Sequence, residues 1–486
     1  MNPSIVIITV IAYFALLFTI AYITGRKADN AGFFIGNRKS RWYMVAFAMI
    51  GSSISGVTFV SVPGMVATGA FSYLQMVLGF VVGQFLIAFV LIPLFYKMSL
   101  VSIYEYLENR FGLSSYKTGA WFFFISKMLG AAVRLFLVCL TLQYLVFAPL
   151  RLPFVLNVFV TMLLVWLYTF QGGVKSLIWT DSFKTLCIIV SVVLCIVYIA
   201  SELGLGLGGI ASTIRESDYS QIFFFDDVND KRYFFKQFLA GVFTVIATTG
   251  LDQDMMQRTL SCKNYKDSQK NMITSGILQF FVIALFLMLG VLLYTFTAAK
   301  GIANPPKSDE LFPMVATGGY FPIIVGVLFI VGLISSAYSA AGSALTALTT
   351  SFTLDILGAR KKGEFSDVRI RKLVHIGMAV VMGVVIFVFN SLNKTSVIDA
   401  VYTLASYTYG PILGMFIFGI FSRRHLRDRW VPVVAVIAPI LCYILQMNSE
   451  EWFDGYKFSY ELLIFNALFT MVGLWILSLK NKEIKR

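Results

Sequence analysis

The chain has 486 residues, of which 58% are hydrophobic and 13% charged, with a formal net charge of +14 and a mean hydropathy of +0.80. These values exclude a soluble globular fold of mixed composition. The positive charge sits between apolar stretches rather than along one polar face, so lipid, not nucleic acid, is the expected surroundings.

A helix needs about 20 apolar residues to cross a hydrocarbon core of about 30 Å, and thirteen such runs follow one another with almost nothing left for a soluble domain. The expected fold class is an all-α polytopic membrane protein of about 13 transmembrane helices. The first run, Ser4 to Thr24, follows an uncharged leader and is too long for a signal-peptide core, so it reads as a retained helix that starts outside. The second, Trp42 to Ala67, holds Gly51, Ser52, Ser53, Ser55 and Gly56, then Thr58, Ser61 and Pro63. Such a segment is expected to break, and unwound backbone at membrane depth persists only against protein or a water-filled cavity, where it can bind an ion or a solute. The alternative is that the small residues let helices approach closely.

Phe71 to Met98, Tyr116 to Ala148 and Pro153 to Tyr168 form the next three spans. Arg134 lies deep in the fourth, with no acidic residue on that helix, and so requires either a carboxylate from another helix or an anionic solute. The sixth span, Leu177 to Ser201, carries Asp181 about one turn in, either as a functional carboxylate or as one wetted by the inner surface. Tyr233 to Leu251 and Met272 to Phe296 follow the long central loop. In the ninth, Tyr320 to Ile356, Ser336, Ser339 and Ser343 share one helix face, which suits either a hard cation or close packing. Leu373 to Phe389 is the tenth. The eleventh, Val397 to Phe421, has a polar aromatic cluster that includes Tyr402, Tyr407 and Tyr409, either a pocket wall or ordinary helix contacts. Gly410 and Pro411 predict a local break there. Trp430 to Leu445 and Tyr460 to Leu479 complete the set.

Lys and Arg test this division independently. With the start outside, inner loops and tail hold 27 of them, outer loops nine, and the spans three: Lys127, Arg134 and Lys184. That asymmetry predicts a multi-pass protein of the cell membrane with a cytoplasmic C-terminus. The five cysteines show no paired spacing, and the two histidines, His375 and His425, fall at inner span ends where solvation is expected. No phosphate-cradling G-x-x-x-x-G-K-[ST] motif and no hydrolase motif occurs, so the chain reads as a carrier without ATP chemistry and not as an enzyme.

Several segments together resemble the sodium:solute symporter family: SGVTFVSVPG, EYLENRFG of Glu105 to Gly112, GGVKSLIWTD of Gly172 to Asp181, DQDMMQRTLSCK of Asp252 to Lys263, SALTALTTSF and YGPILGMFIFGIF. The resemblance implies an inverted-repeat LeuT-type fold, two five-helix repeats with one extra helix before and two after. The divisions would be 1–41, a first repeat over 42–203, an outer loop over 204–232, a second repeat over 233–421, and two final helices with a tail over 422–486. Internal repetition is not visible in the sequence itself.

The resemblance also implies a sodium site with carbonyls of Gly51 and Ile54, then Ser336 and Ser339, with Ala340 where a second hydroxyl residue usually stands. A second sodium in some relatives would correspond to Asp181, Ser339 and Ser343, with Gly342 in place of a frequent polar residue. Arg134 matches an arginine that holds a substrate carboxylate in sialic-acid carriers. Ser53, Ser55 and Thr58 match substrate-side positions, and Gln75 and Tyr407 are further candidates. The implied activity is sodium-coupled symport of a small organic solute, a sugar acid, other carboxylate or sugar, by alternating access. The implied partners are the solute, the sodium ion and membrane lipid, with no obligate protein partner. A sodium-independent facilitator or solute sensor is the alternative.

Overall fold

The computed structural model describes residues 3–25, 40–98, 102–169, 174–357, 368–392 and 397–479. Its principal helices are α1 (Pro3–Gly25), α2 (Trp42–Ser53), α3 (Gly56–Gly64), α4 (Tyr73–Lys97), α5 (Leu113–Phe147), α6 (Phe154–Thr169), α7 (Val174–Glu202) and α8 (Leu207–Glu216). They continue as α9 (Phe234–Gly250), α10 (Gln253–Thr259), α11 (Tyr265–Lys300), α12 (Ile323–Ser351), α13 (Val368–Leu392), α14 (Val397–Phe421), α15 (Val431–Met447) and α16 (Leu462–Leu477). Among the described residues, eight helices are long and apolar enough to cross a membrane, or ten if each of two bent pairs is one span. Three shorter apolar helices accompany them, Ser4–Leu16, Phe154–Leu167 and Leu462–Leu477. Large apolar side chains such as Ile8, Phe89, Phe159, Phe281 and Ile476, each at least 60% exposed, lie on the outer surface of this polytopic membrane protein.

The expected break in the second span lies at Ile54 and Ser55, both extended, and α2 and α3 meet there at 59°. Ser55 caps the new helix by accepting from the Thr58 N–H at 3.4 Å, which replaces a bond lost with the helical ladder. A second break was not foreseen. Between α9 and α10 the chain turns by 75°, and Asp252 caps α10 by accepting from the N–H groups of Asp254 and Met255.

The break expected at Gly410 and Pro411 is absent, because α14 runs unbroken through both. Proline removes the N–H that would bond the Tyr407 carbonyl one turn back. The Asn466 amide of α16 donates to that oxygen at 3.0 Å, and to the Ser406 carbonyl at 2.9 Å, so the helix continues. Gly410 is needed for this approach, since a Cβ there would collide with the Asn466 side chain.

Close contacts hold the bundle elsewhere. Backbone atoms of α9 fill the space a Cβ of Gly79 would need, and the Met76 carbonyl fills that of Gly241, so α4 and α9 touch main chain to main chain. His375 is not solvated: it is buried, with hydrogen bonds of 2.9 Å to Thr169 on α6 and to Thr349 on α12. All five cysteines are free and buried.

Candidate solute and cation site

Both helix breaks open on one interior cavity. The α2–α3 break contributes Ser53, Ser55 and Thr58, α5 contributes Lys127 and Arg134, and α7 contributes Lys184. Asp252, Asp254 and Arg258 enter from the second break, Ala340 and Ser343 from α12, and Tyr402 and Tyr409 from α14.

A charge network underlies one side. Lys127 pairs with Asp252 at 3.0 Å and with Asp254 at 3.3 Å, while the Tyr409 hydroxyl donates to Asp252 at 2.9 Å. Arg258, 3% exposed and expected from sequence to be an inner-loop cation, instead bridges α10 to the core. Its guanidinium donates to Asp181 at 2.6 Å, to Ser343 Oγ at 2.6 Å, to Asp254 at 3.4 Å and to Ser52 Oγ. Ser52 and Ser343 in turn donate to Asp181 and Asp254. Isolated charges at membrane depth are costly, and reciprocal pairing with hydroxyl support offsets that cost. On another side the hydroxyls of Tyr73 and Tyr402 meet at 2.6 Å, and the Tyr402 ring packs on Tyr460.

Two cations stand apart from this pairing. Arg134, half-buried, makes no ion pair among the described residues, and its buried Nε has no hydrogen-bond partner. Lys184, 1% exposed, donates to the Ser336 carbonyl at 3.2 Å. Lys127, Arg134, Lys184 and Arg258 therefore face three carboxylates, those of Asp181, Asp252 and Asp254, which leaves one positive charge in surplus.

Ser53, Ser55, Thr58, Arg134, Ala340 and Ser343 all line the cavity. Gly51 sits behind it, where Thr185 Oγ1 and the Asp181 carbonyl occupy the place of a Cβ, and Ile54 is buried at the break. Ser336 lies against the same break, its Oγ 3.6 Å from where a Gly56 Cβ would be, and that buried oxygen has no partner among the described residues. The side chain of Ser339 lies outside the described set. Gln75 does not line the cavity: its amide nitrogen donates to the Arg232 carbonyl at 2.8 Å and its oxygen accepts from the Phe224 N–H. Tyr407 points away as well, donating to Gln446 on α15, and Tyr402 and Tyr409 take the lining positions. Sequence reading missed Asp252, Asp254 and Arg258 as site residues. The signal was present, since Gly250 followed two residues later by Asp252 is a helix stop and then a start.

The family model described as "Sodium:solute symporter family" matches residues 33–428. The chain belongs to the sodium:solute symporter family. Among its relatives is the sodium/sialic acid symporter NanT of Aliivibrio fischeri, 27% identical, with 92% of this chain and 89% of that protein covered. Another is the sodium/glucose cotransporter of Vibrio parahaemolyticus, 22% identical over 94% of this chain and 86% of that protein. The sodium-coupled monocarboxylate transporter 2 of Danio rerio is 25% identical over 85% of this chain and 68% of that protein. A solved structure described as a substrate-bound outward-open state of a Na+-coupled sialic acid symporter aligns with a TM-score of 0.80 at 20% identity, covering 97% of each chain. At that identity the likeness establishes a shared fold.

Proposed function

We propose that this symporter-family member couples inward movement of sodium to uptake of a small anionic solute, a sugar acid or another carboxylate, by alternating access. The observation that carries the anion is the surplus positive charge of the cavity, located at Arg134. A carboxylate would pair with the guanidinium, and the hydroxyls of Ser53, Ser55 and Thr58 offer neutral hydrogen bonds beside it. The sialic acid and monocarboxylate relatives carry anions by their names, which supports the same class.

Sodium, as co-transported substrate, would lie between the α2–α3 break and α12. It would take the carbonyls of Gly51, Ile54 and Ser336 and the hydroxyl of Ser339, an all-oxygen set suited to a hard cation. Asp181 and Ser343, which a second sodium would require, already hold Arg258, so we infer one coupling ion. Sodium and solute would each favour the same closed-site form, which is coupling by differential affinity.

Counting each bent pair once and adding the three shorter apolar helices gives thirteen crossings. The two breaks fall at the start of 42–203 and of 233–421, as two inverted five-helix units would have them. The residues outside these units, 1–41, 204–232 and 422–486, would then be the first helix with its loop, the outer loop, and the last two helices with the tail. Lys and Arg asymmetry puts the loop after α14 in the cytoplasm.

Uptake of labelled sialic acid and of labelled short monocarboxylates by proteoliposomes, with and without an inward sodium gradient, tests the reading. Accumulation of at least one anion above equilibrium with sodium, and not with potassium, is the expected result. Arg134→Ala should weaken its half-saturation roughly 10- to 150-fold, matching the loss of a charged hydrogen-bond partner worth about 1.5–3 kcal/mol. Unchanged half-saturation removes Arg134 from the solute site.

A further inference from the structure

Lys184 lies one turn beyond Asp181 on α7, fully enclosed, and its ammonium reaches the Ser336 carbonyl at 3.2 Å. That oxygen is the one proposed above as a sodium ligand. Next to it along α12, Ala340 offers no hydroxyl, and the Ser336 hydroxyl is buried with no partner among the described residues. The site thus lacks the hydroxyl that a Ser or Thr at 340 would supply, and holds against one of its carbonyls a cation belonging to the chain itself. An ammonium and a sodium ion carry the same charge and seek the same oxygens. They cannot share one carbonyl without strong repulsion, because the surrounding interior screens charge poorly.

We propose that Lys184 is a tethered cation that occupies the sodium site between the α2–α3 break and α12, and that sodium binds by displacing it. The proposal rests on the sodium reading above. Lys suits this role: its charge sits on a flexible four-carbon stem, whereas a planar guanidinium would need a fixed fork of acceptors. Its side chain already borders the cavity that holds Arg134, so the displaced ammonium swings toward the solute. Sodium binding then brings a second cation beside Arg134 and raises affinity for an anion. The arrangement couples ion to solute through one side chain and sets a low sodium affinity in the solute-free form.

The test needs no solute. The melting temperature of the purified full-length protein is measured against sodium chloride concentration, with choline chloride holding ionic strength constant, because an ion bound only by the folded state raises it. Lys184→Gln, which removes the competitor, is expected to lower the half-saturating sodium concentration at least tenfold, about 1.4 kcal/mol. Lys184→Arg keeps the charge and is expected to stay at or above the wild-type value. Lys184→Met, equally uncharged and of similar length, is read in the same way if the glutamine variant does not fold. Equal half-saturation in wild type and the uncharged variants overturns the tethered cation and leaves sodium symport standing. A sodium response confined to the uncharged variants supports the tethered cation and overturns sodium symport by the native chain. No response in any protein overturns both.

Discussion

At the scale of single residues, Asp252 holds two jobs that substitution can separate. It caps α10 through two N–H groups, and it anchors Lys127 and Tyr409 at the floor of the cavity. Asparagine caps a helix about as well as aspartate, but it cannot neutralise an ammonium. Asp252→Asn should therefore lose the ion pair and keep the cap, whereas Asp252→Ala loses both and should be less stable than the Asn variant by about 1 kcal/mol. Thermal denaturation of the two purified variants checks this, and equal stability would mean the cap contributes nothing. The same residue shows where sequence reading reaches its limit. Arg134 was legible because a guanidinium in an apolar run has few explanations, and Ser53, Ser55 and Thr58 because polar residues crowded one span. Asp252, Asp254 and Arg258 looked like loop charge, since a helix that ends and restarts inside the protein resembles one that leaves the membrane. Gln75 and Tyr407 lie off the cavity for another reason. Hydropathy locates a residue along a span, but the direction of its side chain depends on neighbours distant in sequence, here the 221–232 segment and α15.

At the scale of elements, the two breaks and the absent third follow from who satisfies the backbone. Glycine and proline signal that a helix can open, yet whether it does depends on a partner the local sequence cannot name. Around α14 that partner is Asn466. Asn466→Ala strands the Tyr407 carbonyl in an apolar interior and should lower stability by about 1–3 kcal/mol. Pro411→Ala restores the missing N–H, so Asn466→Ala should cost less in that background, a coupling read by a double-mutant cycle of melting temperatures. Additive costs would show that the amide serves only its contact with Ser406. Before α16 lies a pH-dependent element. Glu461 is buried, accepts from the Ser459 N–H at 3.0 Å and from Tyr456, and burial holds its pKa above the ordinary carboxylate value. A raised folded-state pKa means the folded chain binds the proton more tightly, so this contribution is present in acid and lost as pH rises through the folded value. Glu461→Gln should melt above wild type at pH 8, and the gap should close as pH falls below the ordinary glutamate range. A gap independent of pH would assign the effect to packing.

At the scale of the whole molecule, helical content and multi-pass character were legible because the bilayer demands long apolar runs, while pairing of the two broken helices across the bundle was not. The two units proposed above to be related by inversion need share no sequence, only a path of the chain, and contacts such as Gly79 against α9 join residues more than 150 positions apart. Orientation, by contrast, rests on charge alone and can be tested against a silent background. All five native cysteines are buried, so an impermeant maleimide should leave the wild-type protein in intact cells nearly unlabelled. Ser212 is exposed on α8, in the segment between α7 and α9 that the proposed topology puts outside, and His425 is exposed in the loop after α14. Ser212→Cys should label in intact cells. His425→Cys should label only after the membrane is permeabilised, because its loop carries Arg423, Arg424, Arg427 and Arg429, and such clusters are retained on the cytoplasmic side. The reverse pattern would invert the molecule. Labelling of both positions in intact cells would place both loops on the same side, which requires an even number of crossings between them. The proposed path has five, α9–α10 counted once with α11, α12, α13 and α14, and an odd number carries the chain across.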